Sequence, residues 1–156
     1  MDGNAIEAKA EMLVRRPVAE VFEAFINPEI TAKFWFSKGS DRLEVGRTVR
    51  WEWEMYNFST TAAAKEIEEN RRIVIEWSGY PQPTEIEWIF TPRPDQTTYV
   101  SVFNRGFVGE DAQIIRNALD STEGFAFVLA GLKAYLEHGV RLNLVDDKFP
   151  DMRVDS

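Results

Sequence analysis

The sequence predicts an α+β domain in which one long helix near the C-terminus lies across a curved antiparallel sheet. Three observations lead to this prediction. Apolar residues recur at every second position through the middle of the chain, as in half-buried strands. Short turn-like connections separate these segments, which favours antiparallel pairing because parallel strands need long crossovers. Residues 111–138 then carry an apolar stripe at helical spacing, and such a helix needs a sheet face to cover.

A strand and two short helices are predicted first. Residues 5–15 alternate loosely between apolar and charged side chains, as a strand with one solvated face does. Pro17 can begin a helix because the N–H that it lacks is not needed in the first turn, and apolar residues follow it at helical spacing as far as Phe25. Asn27–Pro28 ends that helix, and a second one is predicted over residues 29–36.

Five further strands are predicted after Gly39, over residues 48–56, 60–69, 72–78, 84–91 and 97–107. The first of them places Trp51 and Trp53 on one face, with charged residues on the other. In the last strand the sequence does not decide which face points inwards, because two sets of alternate residues are equally suitable. These sets are Tyr99, Ser101, Phe103 and Arg105 on one face and Val100, Val102 and Asn104 on the other.

The long helix is predicted over residues 111–138. Its apolar stripe consists of Ile114, Ala118, Ser121, Phe125, Leu129, Leu132 and Leu136. A kink near residue 120 is the alternative, because Asp120 with Glu123 can restart a helix there. Gly124 and Gly131 share one helix face, which either lets a strand approach closely or leaves room for a ligand.

Composition excludes several classes of function. We expect one domain over residues 1–156, with a core at about 5–139 and a polar tail at 140–156. The net charge of −8 argues against binding to nucleic acid or to anionic membranes. The absence of Cys excludes disulfides, thiol nucleophiles and zinc–thiolate sites, and the single His leaves no cluster for a metal. The chain has no apolar run long enough to cross a membrane and no basic N-terminal region typical of a signal peptide. We therefore expect a cytoplasmic protein that inserts in no membrane and needs no cofactor.

Seven short segments resemble a known family. They are residues 17–25, Asn27–Glu29, Phe34–Trp35, Gly46, residues 71–77, Gly124–Phe125 and residues 129–137. In this order they resemble START-like domains of the SRPBCC superfamily, and within it the branch of activators of a heat-shock chaperone ATPase, over roughly residues 5–149. The resemblance implies a helix-grip fold, with a cavity between a curved antiparallel sheet and the long C-terminal helix. It implies no catalytic residue, because the family shares no catalytic motif.

Aromatic residues make up 13% of the chain, and this high content predicts a ligand pocket between the sheet and the helix. The alternative is that the same side chains fill the core. The candidate ligand-binding residues are Trp35, Trp51, Trp53, Met55, Trp77, Trp88, Phe90, Phe103, Arg105, Ser121, Phe125 and Leu129. Arg105 inside such a pocket would favour an acidic ligand group, whereas at the rim it would form a solvated ion pair.

The other ionisable residues suggest no catalytic or metal site. Glu52 with Glu54 and Glu85 with Glu87 alternate with Trp and Ile, so we interpret both pairs as a solvated outer face. His138 is placed in the last helical turn, where we interpret it as a cap rather than as a catalyst.

Three functions are compatible with these observations. The first is the binding of a small hydrophobic or aromatic molecule in the cavity. The second is a cyclase- or hydrolase-type enzyme that uses the same cavity, although the sequence offers no activated base. The third is a stress protein that contacts a chaperone, alone or as a homodimer. The known activators place this domain beside a second one, which this chain does not contain.

Overall fold

A computed structural model describes residues 6–154 and confirms the predicted α+β architecture. Its described part contains a seven-stranded, fully antiparallel, curved sheet and one long helix. The strands are β1 (Ala8–Val14), β2 (Lys38–Gly39), β3 (Thr48–Trp53), β4 (Phe58–Glu68), β5 (Arg72–Trp77), β6 (Thr84–Pro92) and β7 (Thr98–Arg105). The helices are α1 (Val18–Ile26), α2 (Pro28–Thr31) and α3 (Asp111–His138).

The strand order β1-β7-β6-β5-β4-β3-β2 makes β1 and β2 the two edges of the sheet. The helices α1 and α2 connect these edges along the chain. The register of β4 against β5 shifts between Ala64 and Glu66, so that Lys65 is an extra residue in β4. Such a bulge bends its strand and increases the local twist, which helps the sheet to curve towards the helices.

The second helix is shorter than predicted, because the regular helix ends at Thr31 and hydrogen-bonded turns follow it. The three rings that follow, Phe34, Trp35 and Phe36, are each at most 7% exposed. A helix continued through them would turn at least one of three adjacent side chains towards solvent. The irregular turn instead buries all three.

The structure settles the inner face of β7. Val100, Val102 and Asn104 are buried in the interior, whereas Phe103 and Arg105 lie on the outer face. In β3 the inward placement of Trp51 and Trp53 is as predicted, but the strand ends at Trp53. Residues 54–56 form a single 3-10 turn that ends at Asn57, whose φ is 50°.

The helix α3 runs unbroken from Asp111 to His138, so it does not end and restart near residue 120. It ends at Gly139, which adopts a φ of 67° and donates its N–H to the carbonyl of Tyr135. A glycine at this position adopts the left-handed conformation without a steric penalty, because it has no Cβ. No helix within residues 6–154 is long and apolar enough to cross a membrane.

Candidate functional site

A cleft of about 190 Å³ opens beside the middle of α3. Four parts of the chain meet there: the turn before β2, the 3-10 turn after β3, the loop between β5 and β6, and the segment that follows α3. The lining residues are Trp35, Tyr56, Trp77, Gly79, Tyr80, Asp120, Ser121, Glu123, Gly124, Phe125, Phe127, Val128, Val145, Lys148 and Phe149. Most of them are aromatic or apolar, as in sites that bind small organic molecules.

Three aromatic rings in mutual contact form one wall of the cleft. The ring centroid of Trp35 lies 5.7 Å from that of Trp77 and 5.6 Å from that of Phe125. The centroids of Trp77 and Phe125 are 6.2 Å apart. These tilted and edge-to-face arrangements are the preferred ones for aromatic pairs, so the wall is a well-packed surface.

Glycine leaves the space in front of this wall open. A Cβ at Gly124 would have no atom within 4 Å, whereas a Cβ at Gly131 would lie 3.1 Å from the Cβ of Phe34. The sequence left two roles open for these glycines, close approach of another segment or room for a ligand, and each glycine has one of them. Gly131 allows the turn before β2 to approach α3 closely, and Gly124 leaves room in the cleft.

The structure brings four of the twelve candidate ligand-binding residues to the cleft, namely Trp35, Trp77, Ser121 and Phe125. Six others do not line the cleft and lie in the hydrophobic core, to which the nearly buried Trp35 and Phe125 also belong; the six are Trp51, Trp53, Met55, Trp88, Phe90 and Leu129. Phe103 and Arg105 lie on the opposite face of the sheet.

A buried chain of hydrogen bonds holds the Trp77 ring in place. Ser121 Oγ donates to Asn104 Oδ1 at 2.8 Å, and Asn104 Nδ2 donates to Thr84 Oγ1 at 2.9 Å. Trp77 Nε1 donates to the same Thr84 hydroxyl at 3.1 Å. Ser121 therefore fixes the geometry of the wall through Asn104, since its hydroxyl proton is already engaged.

The loop between β5 and β6 places a phenol at one end of the cleft. Gly79 packs on Trp77 so closely that a Cβ there would lie 2.5 Å from the indole ring. Tyr80 follows it and donates its hydroxyl to Asp120 Oδ2 at 2.8 Å. Burial, and then the hydrogen bond to Asp120, raise the pKa of Tyr80 well above its usual range. This phenol consequently stays protonated at neutral pH and acts as a donor.

The segment after α3 closes the opposite end. The Tyr56 hydroxyl donates to the carbonyl oxygens of Val145 and Asp146, at 2.6 and 2.8 Å, and accepts the N–H of Phe149 at 3.2 Å. Val154 N–H donates to the carbonyl of Met55 at 2.9 Å. Part of the sequence expected to form a polar tail thus packs against the 3-10 turn and lines the site.

Sequence reasoning missed Tyr56, Tyr80, Asp120 and this final segment as parts of a site. The available signal for the segment was its apolar residues, Val145 and Phe149, which a solvated tail does not need. Periodicity gave no signal for Val145 and Phe149, because neither residue belongs to a regular helix or strand.

Arg105 finds carboxylate partners on the outer face of the sheet. Its guanidinium lies 2.8 Å from a Glu7 oxygen and 2.9 Å from a Glu87 oxygen. Arg72 Nε donates to the other oxygen of Glu87 at 2.5 Å. Burial by itself would raise the pKa of Glu87, but the hydrogen bonds from Arg72 and Arg105 outweigh it, so this pKa lies below its ordinary value.

Among residues 6–154 no group of three or more His, Asp and Glu side chains is arranged to hold a metal ion. His138 is exposed at the end of α3, with Nε2 3.8 Å from a carboxylate oxygen of Glu137. The chemistry that the cleft offers is therefore apolar contact and the charged side chains of Asp120, Glu123 and Lys148, because the Tyr80 hydroxyl proton is already donated to Asp120.

Comparison with known proteins agrees with this geometry. The family model described as Activator of Hsp90 ATPase homolog 1-like protein matches residues 15–137. A search of the curated proteins finds no match. The crystal structure of protein SSP2350 from Staphylococcus saprophyticus is similar, with a TM-score of 0.76 and 31% identity over 88% of this chain and 96% of that one.

Two more distant structures share the fold. DynU16, a putative protein in the dynemicin biosynthetic locus, superposes with a TM-score of 0.75 at 20% identity, over 86% of this chain and 48% of that one. The Aha1 dimer from Colwellia psychrerythraea gives a TM-score of 0.71 at 17% identity, over 86% of this chain and 98% of that one. These two matches show the fold alone, whereas the family model and the similarity to SSP2350 confirm the resemblance inferred from the sequence motifs.

Proposed function

This chain belongs to the family of Activator of Hsp90 ATPase homolog 1-like proteins, and from that premise we propose that it binds a small apolar or aromatic molecule in the cleft beside α3. The observation that supports this proposal is the cleft whose wall consists of Trp77 and of the nearly buried rings of Trp35 and Phe125, beside a helical glycine whose Cβ position has no atom within 4 Å. A flat ring lying on this wall would replace solvent with aromatic contacts.

The size of the cleft limits the ligand to one or two rings. A dry cavity of about 150 Å³ accommodates benzene, and this cleft measures about 190 Å³. A ligand that removes roughly 150 Å² of apolar surface from water gains about 4 kcal/mol. That free energy corresponds to a Kd of about a millimolar, and each further polar contact would tighten it.

Filling the cleft from the protein side tests the proposal. Gly124→Leu places a side chain in the empty space and replaces glycine inside a helix with a good helix former. Trp fluorescence and thermal shift, measured with 2-phenylethanol up to tens of millimolar, are expected to show binding to the wild type and at least about tenfold weaker binding to Gly124→Leu.

The matched control is Ala126→Leu, which places the same side chain at an exposed position on the same helix outside the cleft. It is expected to bind like the wild type. Equal binding by all three proteins would place the ligand elsewhere and contradict the proposal, and so would an absence of binding to the wild type.

A chaperone contact is a second candidate function, favoured by the family description and by the similarity to the Aha1 dimer. Size-exclusion chromatography with an Hsp90-type ATPase, together with its ATP turnover, tests this candidate. Stimulated turnover would support it, and the absence of both complex and stimulation would remove it. Sedimentation of the chain alone tests the homodimer, and the cytoplasmic location stays a prediction.

An enzyme of the cyclase or hydrolase type would need a group in the cleft that exchanges protons with the ligand. Tyr80, hydrogen-bonded to Asp120, is a donor there. Its raised pKa makes it a weak acid that stays protonated at neutral pH, so it neither gives up nor takes up a proton readily, which supports binding ahead of catalysis.

A further inference from the structure

The cleft contains three charged side chains, and two of them neutralise each other. Lys148 forms an ion pair with the carboxylate of Glu123. Its ammonium also lies 5.6 Å from the ring centroid of Phe127 and 5.2 Å from that of Phe149. Held in this way by a carboxylate and two rings, Lys148 offers little to an anionic ligand.

Asp120 has no cationic partner among the residues that the structure describes. Its Oδ2 accepts the hydroxyl of Tyr80 at 2.8 Å. Across the described part of the chain, Oδ1 accepts no hydrogen bond and the carboxylate makes no ion pair. Because Tyr80 stays neutral and Lys148 is paired with Glu123, no cation that lines the cleft balances the Asp120 carboxylate, whose charge is shared by its two oxygens.

The aromatic lining favours the same sign of ligand charge. The faces of aromatic rings carry partial negative charge, so they attract cations and repel anions. The Lys148 ammonium, which lies near two of the rings that line this cleft, is an example within the protein itself. A carboxylate ligand would meet the rings and Asp120 together, and both would disfavour it.

The distance from the aromatic wall to Asp120 suits a ligand in which a short chain joins a ring to an amine. Asp120 and Gly124 are four residues apart on α3, so they are neighbours on its surface at about 6 Å. The space left open by Gly124 faces the wall formed by Trp35, Trp77 and Phe125, one helical turn from the Asp120 carboxylate.

We propose that the cleft selects aromatic ligands that carry an amine, with the ring on the Trp35–Trp77–Phe125 wall and the ammonium on Asp120 Oδ1. This inference rests on the proposed function, because it names the class of molecule that the same cleft takes. It assigns Asp120 as the specificity-determining residue and Tyr80 as the residue that positions its carboxylate.

Three probes of matched size test the inference. Phenethylamine, 2-phenylethanol and phenylacetate share a ring and a short chain and differ in charge, and none of them contains an indole to interfere with Trp fluorescence. Phenethylamine is expected to bind about five- to tenfold more tightly than 2-phenylethanol, and phenylacetate more weakly than either. The preference should decrease as salt is added, since the ion pair is partly exposed.

The variant Asp120→Asn distinguishes the contribution of the Asp120 charge to binding from that of the apolar contacts. This variant keeps the shape of the side chain and its ability to accept the Tyr80 hydroxyl. The ratio of the affinities for phenethylamine and 2-phenylethanol should fall to about twofold or less, whatever change the variant makes to the binding of the alcohol itself. Glu76→Gln is the control, because it makes the same change in net charge at an exposed position next to Trp77 but on the other face of β5.

The outcomes are distinguishable. Tighter binding of phenethylamine that depends on Asp120 supports the inference. Equal binding of the amine and the alcohol, tighter binding of phenylacetate, or an amine preference that survives Asp120→Asn would overturn it and leave the proposed function standing. Failure of all three probes to bind would overturn both.

Discussion

Gly124 and Gly131 lie seven residues apart on α3 and have opposite surroundings. The Cβ position of Gly131 is 3.1 Å from the Cβ of Phe34 and 3.4 Å from its carbonyl oxygen, whereas Gly124 faces open space. A large side chain at position 131 must displace backbone, while one at position 124 fills a void. The same substitution at the two sites therefore has different consequences.

We predict that Gly131→Leu lowers the free energy of unfolding by at least about 2 kcal/mol, because overpacking against backbone is not relieved by rotating a side chain. Gly124→Leu is expected to leave stability unchanged or to raise it by up to about 1 kcal/mol, through helix propensity. Urea unfolding of the two variants measures the difference. A loss of stability in Gly124→Leu as large as in Gly131→Leu would contradict the assigned surroundings.

Glu87 is 8% exposed and lies between two guanidinium groups on the outer face of the sheet. Its pKa is lowered below the ordinary value of 4.5, so the folded state prefers the ionised carboxylate. The stability that this preference contributes is fully present above pH 4.5. It is lost as the pH falls through the lower pKa of the folded state.

We predict that Glu87→Gln destabilises the protein by about 1–3 kcal/mol at pH 7, because Arg72 and Arg105 lose a charged acceptor. Between pH 5 and pH 3 the variant should lose less stability than the wild type, in urea unfolding measured across this range. The exposed Glu76→Gln variant serves as the comparison and should follow the wild type. If Glu87→Gln and the wild type have parallel pH profiles, Glu87 contributes nothing to the acid response.

At the scale of elements, the Tyr56 hydroxyl makes several of the contacts that hold the segment after α3. Tyr56 contacts two carbonyl oxygens and one N–H of this segment, and its ring packs edge-to-face on Phe149 with centroids 6.0 Å apart. Regular hydrogen-bonded structure is nearly absent from the segment, so we expect its local stability to be low compared with that of the sheet.

We predict that Tyr56→Phe speeds amide hydrogen exchange at Phe149 by about tenfold while it lowers global stability by only about 1 kcal/mol. Binding of 2-phenylethanol should weaken severalfold, because the segment lines the cleft. Tyr135→Phe is the matched control, since the Tyr135 hydroxyl makes no hydrogen bond to the residues that the structure describes. Unchanged exchange at Phe149 would show that the segment is held by other contacts.

The loop between β5 and β6 separates the cleft from a neighbouring cavity of about 420 Å³. Tyr80 lines both spaces, with its ring edge-to-face on Phe107 and its hydroxyl on Asp120. Both spaces lie along one side of α3, since Asn117 and Asp120 are neighbours on its surface. The Tyr80 side chain therefore limits the length of a ligand.

We predict that Tyr80→Ala joins the two spaces, so that 2-(4-biphenylyl)ethanol gains at least about fivefold in affinity relative to 2-phenylethanol, through the burial of its second ring. Calorimetric titration of both alcohols into the wild type and the variant gives this ratio. An unchanged ratio would mean that Tyr80 is not the partition.

For the molecule as a whole, periodicity in the sequence predicted most elements but only part of the site. The strands and α3 were found because their apolar residues alternate or recur at helical spacing over many positions. The inner face of β7 could not be chosen, because Phe103 and Val102 suit an apolar face equally well. The choice is made by pairing with β1 and β6, which no local pattern records.

The cleft illustrates what local patterns cannot give. Trp51 and Trp77 both carry large rings on the inner side of the sheet, yet Trp51 is 2% exposed in the core and Trp77 lines an open space. The difference depends on what lies opposite each ring: packed side chains for Trp51, and the empty position at Gly124 for Trp77. Asp120 and Phe149 join the site only through long-range packing of a loop and of the segment after α3.

The most direct test of the central claim, that a small aromatic ligand binds beside α3, is a titration of the indole N–H signals by NMR. The chain contains five Trp residues, of which two line the cleft and three are buried behind it. With 2-phenylethanol, the signals of Trp35 and Trp77 should shift most and with one shared Kd, and those of Trp51, Trp53 and Trp88 should shift little. Largest shifts among the three buried indoles, or none at all at tens of millimolar ligand, would contradict the claim.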